Sequence, residues 1–200
     1  MTNLYFIRHA HTALNGMMIF QGGQTDSSLD QIGLDQVSAS IKAMNDTLPS
    51  EYLLVCSPLM RTKQTAAGLK LNTENVIYDD EIREIDFGEW EGKMLSEVQE
   101  NHAPEVARYY DDDITMRPDG GESIGEVESR MLKAIAKYSN KNYENVVFVS
   151  HGNSISIALS SLLSDNEIFK RTLAIPGNVS VSKVNSDNGY SLDYYNRVFY

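Results

Sequence analysis

The chain reads as an α/β domain of three layers, an α/β/α sandwich on a mostly parallel, mixed sheet. Three observations predict it. Apolar runs at 3–7, 52–56 and 145–150 have the length and continuity of strands buried on both faces. Helical periodicity occupies 33–48, 58–71 and the stretch opened by Ser123. Two late segments, 179–184 and 190–195, look like closing antiparallel strands joined across Asn188-Gly189, a turn signal.

Bulk composition narrows the function classes. The 200 residues carry a net charge of −11, with 42% hydrophobic and 22% charged residues, ordinary for a globular chain and enough for one domain spanning 1–200. That acidic balance argues against nucleic acid or an anionic membrane surface as a partner, while leaving a small anionic substrate open. The lone Cys56 sits in an apolar run and permits no intramolecular disulfide, so a reducing compartment is expected. There is no basic leader followed by a long apolar region and no bilayer-length apolar span, so a cytoplasmic protein is expected. The sequence specifies no oligomeric state.

Each element has its own signal. Asn3-Leu4-Tyr5-Phe6-Ile7 is the first strand, followed by a polar, Gly-rich loop over 13–28. Leu34, Val37, Ile41, Met44 and Leu48 form one helical stripe, stopped by Pro49. After the second strand, Ser57 is the expected N-cap and Pro58 the first helical residue of a helix over 58–71. A short strand is expected at 75–78 and an ordered, aperiodic loop at 81–92. The weakly helical 95–110 is broken in two by Pro104, and Asp111-Asp112-Asp113 reads as a solvated turn. Ser123 and Glu126 make a capping box ahead of Ile124, Val127, Met131, Ile135 and Tyr138. The third strand delivers His151-Gly152, and 153–163 is apolar enough for a buried helix.

The chemistry collects at the strand ends. Arg8-His9 closes the first strand, Arg61 falls in the first turn after the second, and His151 closes the third. In open α/β sheets ligands bind beyond these carboxyl ends. Two guanidiniums and two imidazoles in an acidic protein suit a dense local anion, and arginine matches the oxygens of phosphate with paired hydrogen bonds. A neutral imidazole is a competent nucleophile toward phosphorus, and neighbouring guanidiniums disfavour protonation of His9. The leaving alkoxide still needs a proton, from a carboxylic acid or the second histidine. A metal hydrolase is the rival, since His9-x-His11 resembles a metal pair, but the remaining histidines, His102 and His151, offer no matched spacing.

These residues resemble the histidine phosphatase superfamily, also called phosphoglycerate mutase-like. Arg8-His9-Ala10 matches its Arg-His-Gly signature, with Thr12 and Asn15 following. Gln21, Gly22, Asp26 and Leu29 match its next loop, and Ser57, Pro58, Arg61, Gln64, Thr65 and Ala66 its Ser-Pro-x-x-Arg-x-x-Gln-Thr-Ala segment. The stretch 83–92 resembles the acid-bearing loop, with Gly120-Gly121-Glu122-Ser123 and Ser150-His151-Gly152 completing the set in family order. The resemblance implies a phosphoglycerate mutase-like fold, no metal or other cofactor, and a small phosphate ester as substrate. It implies His9 as the phosphorylated nucleophile and Arg8, Arg61 and His151 as binders of the phosphoryl oxygens. Glu84 becomes general acid and then base, while Asn15, Gln21, Gly22 and Gly152 help hold the phosphate.

Two departures stand out. Ala10 replaces the usual Gly and is strained if that position needs a positive φ. His11 stands where Glu or Gln is common, and its expected place is the cleft lining. Mutases of this family carry an insert with adjacent arginines after the acid loop. Here 93–117 holds only Lys93, Arg108 and Arg117 as cations, with three aspartates, which favours hydrolysis over mutase (isomerase) chemistry. Retention of both histidines, both arginines and Glu84 argues against a non-catalytic phosphate-binding module. Met17, Met18, Phe20, Tyr109 and Tyr110 are either an apolar wall for the leaving group or packing.

Overall fold

The computed structural model describes residues 2–69, 76–139, 143–164, 168–187 and 189–199. Six strands form one sheet: β1 (Asn3–Arg8), β2 (Leu53–Cys56), β3 (Val76–Tyr78), β4 (Asn145–Ser150), β5 (Val181–Asn185) and β6 (Ser191–Arg197), in the order β3-β2-β4-β1-β5-β6. The first four are mutually parallel, and β5 and β6 extend the sheet antiparallel beyond β1. The mixed, mostly parallel sheet expected from the sequence is thus present.

Pleating sorts the strand residues between two cores. Leu4, Phe6, Leu53, Val55, Val146 and Phe148 face α6 (Ile124–Ser139) and α7 (Gly152–Leu162), whose Ile124, Val127, Met131, Ile135 and Ile155 are fully buried. Tyr5, Ile7, Leu54, Cys56, Val147 and Val149 face Met44 and Leu48 from α2 (Gln31–Thr47) and its end, and Ala66 of α3 (Met60–Ala66). Phe6 and Phe148 stack across the β1–β4 pair at 5.0 Å. Burying a side chain of this size contributes roughly 1.5–3 kcal/mol.

Several boundaries differ from expectation for identifiable reasons. The loop after β1 begins with one helical turn, α1 (Ala13–Gly16), in which the Asn15 amide oxygen accepts from Thr12 N. The α2 stripe is buried only toward its end: Leu34 is exposed, Val37 and Ile41 are partly buried, and Met44 and Leu48 are buried. α3 starts at Met60 rather than Pro58, because the Ser57 hydroxyl is engaged by His151 and Asp26 caps the Met60 N–H instead. Its expected last residues, Lys70 and Leu71, lie outside the described residues, as do Asn75 and Asn188 of the expected strand and turn. Pro104 divides α4 (Leu95–Asn101) from α5 (Ala103–Tyr110), sitting in the first turn of the latter. The strand expected from 179 begins at Val181, because Val179 has φ 52°, a conformation that a β-branched residue adopts only under constraint.

Candidate active site

Register places the key side chains. Arg8 pairs with Ser150 across β1 and β4, so the next residues, His9 and His151, leave the sheet side by side, their ring centroids 5.2 Å apart. Cys56 of β2 pairs with Val149, and Ser57 N bonds Val149 O, bringing the third strand end to the same level. Arg61, from the first turn of α3, then reaches in from the side.

His9 is buried, and its Nδ1 lies 2.7 Å from the Ala10 carbonyl. A carbonyl only accepts, so Nδ1 carries the proton and Nε2 of the neutral ring keeps its lone pair. His151 is set the other way. Arg61 Nε donates to its Nδ1 at 3.2 Å, so Nε2 carries the proton and donates to Ser57 Oγ at 2.8 Å. Burial first, then the positive fields of Arg61 and Arg8, hold the His9 pKa well below the ordinary imidazole value. Burial and Arg61 do the same for His151.

The two arginines are anchored differently. Arg61 is fully buried, with Nη1 on Thr25 O at 2.6 Å and Nη2 on Gly22 O at 3.1 Å; burial lowers its pKa to about 10. Arg8 Nη1 donates to Pro176 O at 2.6 Å, while its Nε is buried without a hydrogen bond among the described residues. Gly152 clears the space beside it: a Cβ there would lie 3.2 Å from Arg8 Nε and 2.7 Å from Ile175. Gly22 is similarly required, since a Cβ would meet Glu91 Oε1 at 2.2 Å and Ile85 O at 2.6 Å.

Glu84 comes from the loop after β3, between two short 3₁₀ turns, Asp80–Ile82 and Gly88–Trp90. Its carboxylate sits on the N-terminus of α7. Oε1 accepts from Ile85 N, Ser154 N and Ser154 Oγ, and Oε2 from Asn153 N and Nδ2, at 3.0 to 3.4 Å. Behind it, Arg130 of α6 clamps the carbonyls of Glu81, Arg83 and Glu84 and pairs with both Glu122 oxygens. The expected acid therefore has two layers of support.

A cleft of about 170 Å³ opens between these groups. Arg8, His9, Asn15, Gln21 and Glu84 line it, with Phe20, Phe87, Tyr109 and Ile175 as apolar wall. Arg61, His151, Gly22 and Gly152 stand behind the lining. Gln21 is committed to Thr12, Asn15 and Ser27, which makes it a strut for the loop rather than a free ligand. Met17 and Met18 are mostly exposed and lie off the lining. His11 departs from expectation: it bonds Asp30, the α2 cap, at 2.8 Å, and does not line the cleft. Ala10 has no positive φ and is fully buried with Leu29 and Val179, so the extra methyl fills space without strain. Among the described residues no group of three His, Cys, Asp or Glu side chains converges as a metal site.

Asn178, Arg130 and Arg171 of this neighbourhood escaped the sequence reading, and Thr65 was matched there without a role. Asn178 donates to His9 O at 2.9 Å and Thr65 Oγ1 accepts from Ala10 N at 2.9 Å, together fixing the backbone around the imidazole. Arg130 is the clamp described above. Arg171 lines the cleft and contacts Asp112, whose side chain is largely buried, so Asp112 departs from the solvated turn expected there while Asp111 is exposed.

A mixed α/β sheet with paired histidines and arginines at its parallel strand ends, facing a held carboxylate, defines a phosphomonoester hydrolase. The chain belongs to the histidine phosphatase superfamily (branch 1), whose family model matches residues 4–196. It is 31% identical over 155 residues to phosphoserine phosphatase 1 of Hydrogenobacter thermophilus, covering 76% of this chain and 71% of the relative. It is 30% identical over 170 residues to glucosyl-3-phosphoglycerate phosphatase of Mycobacterium tuberculosis, covering 80% of this chain and 74% of that one. The solved structure of a mycobacterial glucosyl-3-phosphoglycerate phosphatase complexed with VO3 superposes with a TM-score of 0.86 at 28% identity, over 98% of this chain and 99% of that chain. The protein is accordingly a phosphatase, and among its described residues no helix is long and apolar enough to cross a membrane.

Proposed function

We propose that His9 carries the phosphoryl group during hydrolysis of a small phosphate ester. The observation that carries this reading is the Nδ1 bond to the Ala10 carbonyl, which leaves the Nε2 lone pair for phosphorus. In the first step Nε2 bonds to phosphorus as the bond to the ester oxygen breaks, and protonated Glu84 gives its proton to the departing oxygen. In the second, Glu84 takes a proton from water, whose oxygen bonds to phosphorus as the P–N bond breaks. Inorganic phosphate leaves and His9 is restored.

Arg8, Arg61 and His151 hold the equatorial oxygens, where charge spreads in the transition state. Asn15 extends that cradle, Gln21 and the Gly22 carbonyl keep its loop and Arg61 in place, and Gly152 admits Arg8. The stretch 93–117, with no arginine pair, supports hydrolysis over transfer within one substrate. The named relatives act on phosphoserine and on glucosyl-3-phosphoglycerate, which supports a small phosphorylated metabolite as the substrate class here. A buried, unreactive Cys56, its pKa raised by burial to about 12, fits work in the cytoplasm.

Hydrolysis of 4-nitrophenyl phosphate tests the reading, together with trapping of labelled enzyme from a ³²P-phosphate ester. We expect a base-stable, acid-labile label that His9→Gln abolishes along with turnover. Turnover surviving that substitution overturns the assignment.

A further inference from the structure

Arg171 lies in the segment between α7 and β5, yet its guanidinium lines the same cleft as His9 and Glu84. Its surroundings are unusual for a structural arginine. Nε is 3.3 Å from Asp112 Oδ1, off the hydrogen-bond direction, and Asp112 Oδ2 accepts from the Arg171 backbone N–H at 2.9 Å. Cζ stands 5.3 Å from the Tyr109 ring centroid, so the plane is held over an aromatic wall. Nη1 makes one long bond, 3.4 Å, to Asn153 Oδ1. Nη2 is buried and makes no hydrogen bond among the described residues. A buried guanidinium nitrogen without a hydrogen bond, on a residue that lines a cleft, is expensive to maintain unless a ligand entering there pairs with it.

Asn153 tells which end of the substrate would fill it. Its Nδ2 and backbone N–H both reach Glu84 Oε2, while its Oδ1 takes Tyr109 Oη at 2.8 Å as well as Arg171. Arg171 is therefore one side chain away from the acid that protonates the departing oxygen, on the leaving-group side. The Nη1–Nη2 edge is the planar fork that a carboxylate accepts bidentately. Asp112 already offsets part of the guanidinium charge on the Nε side, so a second dianionic phosphate would be poorly matched, whereas a monoanion is well matched.

We propose that Arg171 is a specificity-determining residue that binds a carboxylate on the alcohol portion of the substrate, making the preferred substrates phosphate esters of small hydroxy acids. This rests on the reading of the cleft as a phosphomonoesterase site. Two matched probes test it, the phosphate monoesters of 3-hydroxypropanoic acid and of its uncharged amide, with 4-nitrophenyl phosphate as reference. The wild type should favour the acid by at least about tenfold in kcat/KM, the size of a charge-assisted bond. In Arg171→Met that ratio should fall to within about twofold of one. Arg171→Lys, which keeps the charge and stem but not the fork, should give an intermediate ratio and guards against a misfolded methionine variant. A wild-type ratio near one, or one that survives both substitutions, overturns the proposal while the aryl ester is still hydrolysed. An enzyme inert to all three esters overturns the phosphatase reading itself.

Discussion

Arg61 Nε donates to His151 Nδ1, joining the first turn of α3 to the end of β4 between residues that are both fully buried. One contact thus sets the position of a cation and the tautomer of an imidazole. The other nitrogens of Arg61 hold the 22–25 loop through two carbonyls. Lysine offers a single ammonium group and cannot satisfy acceptors spread around a planar fork. Arg61→Lys should lower kcat/KM for an aryl phosphate by at least about a hundredfold, roughly 2.7 kcal/mol. It should also cost about 1–3 kcal/mol of stability from buried acceptors left unpaired. Steady-state kinetics and chemical denaturation check the two effects; retention of full activity would remove Arg61 from the phosphate site.

Glu84 accepts from Asn153 and Ser154 at the start of α7 and from Ile85 N in its own loop. Glutamine turns an NH₂ toward those N–H groups and supplies no acid. The chemical loss depends on the leaving group: an alkoxide needs the proton, a nitrophenolate much less. For Glu84→Gln, kcat on an alkyl phosphate should fall by about 10²–10⁴-fold, and on 4-nitrophenyl phosphate by clearly less. Equal losses on both esters would mean that Glu84 only shapes the loop.

How much of this was legible in the sequence follows from where each side chain's information sits. His9, Arg61 and His151 follow apolar runs, so the strand pattern marks them without any knowledge of pairing. The capping box at Ser123 and Glu126 is local chemistry and forms as read. Arg171 and Asn178 lie in an irregular stretch after α7, where no periodicity says which way a side chain turns. Arg130 stands among charged helix residues that look solvated, and only the docking of the acid loop buries its guanidinium. Ser57 illustrates the opposite error: its local signal, Ser-Pro, is a good cap, and a tertiary partner, His151, outcompetes that role.

Gly152 is a packing requirement with a catalytic consequence. It begins α7, and an added Cβ would press on Arg8 Nε and Cζ at 3.2 and 3.3 Å and on Ile175 at 2.7 Å. Ile175 is partly exposed and can shift, whereas Arg8 is tethered to Pro176 O. Gly152→Ala should therefore displace the guanidinium at little cost to the fold, lowering kcat/KM by about 10- to 100-fold. Affinity for inorganic phosphate or vanadate, read by calorimetry, should weaken in parallel. Unchanged oxyanion affinity would show that Arg8 does not touch the phosphoryl group.

The last prediction concerns pH. His9 and His151 are kept neutral in the fold, by burial first and then by Arg61. In the unfolded chain both return to the usual value of about 6.5. Above that value neither state binds the proton, and stability is unaffected. As pH falls below it, the unfolded state takes up protons that the folded state refuses, so stability is lost until the depressed folded values are reached. Each histidine can contribute at most about 1.4 kcal/mol per pH unit in that window. Asp30, Asp79 and Glu126, whose pKa values are lowered in the fold, add their losses at lower pH, nearer the ordinary carboxylate range. Between pH 6.5 and 5 the wild-type Tm should therefore fall steeply. In the double variant His9→Gln and His151→Gln it should fall markedly less, as thermal denaturation across that range would reveal. Parallel Tm profiles for the two proteins would mean that the imidazoles titrate normally, and that the neutral nucleophile this chemistry needs is supplied by pH rather than by the fold.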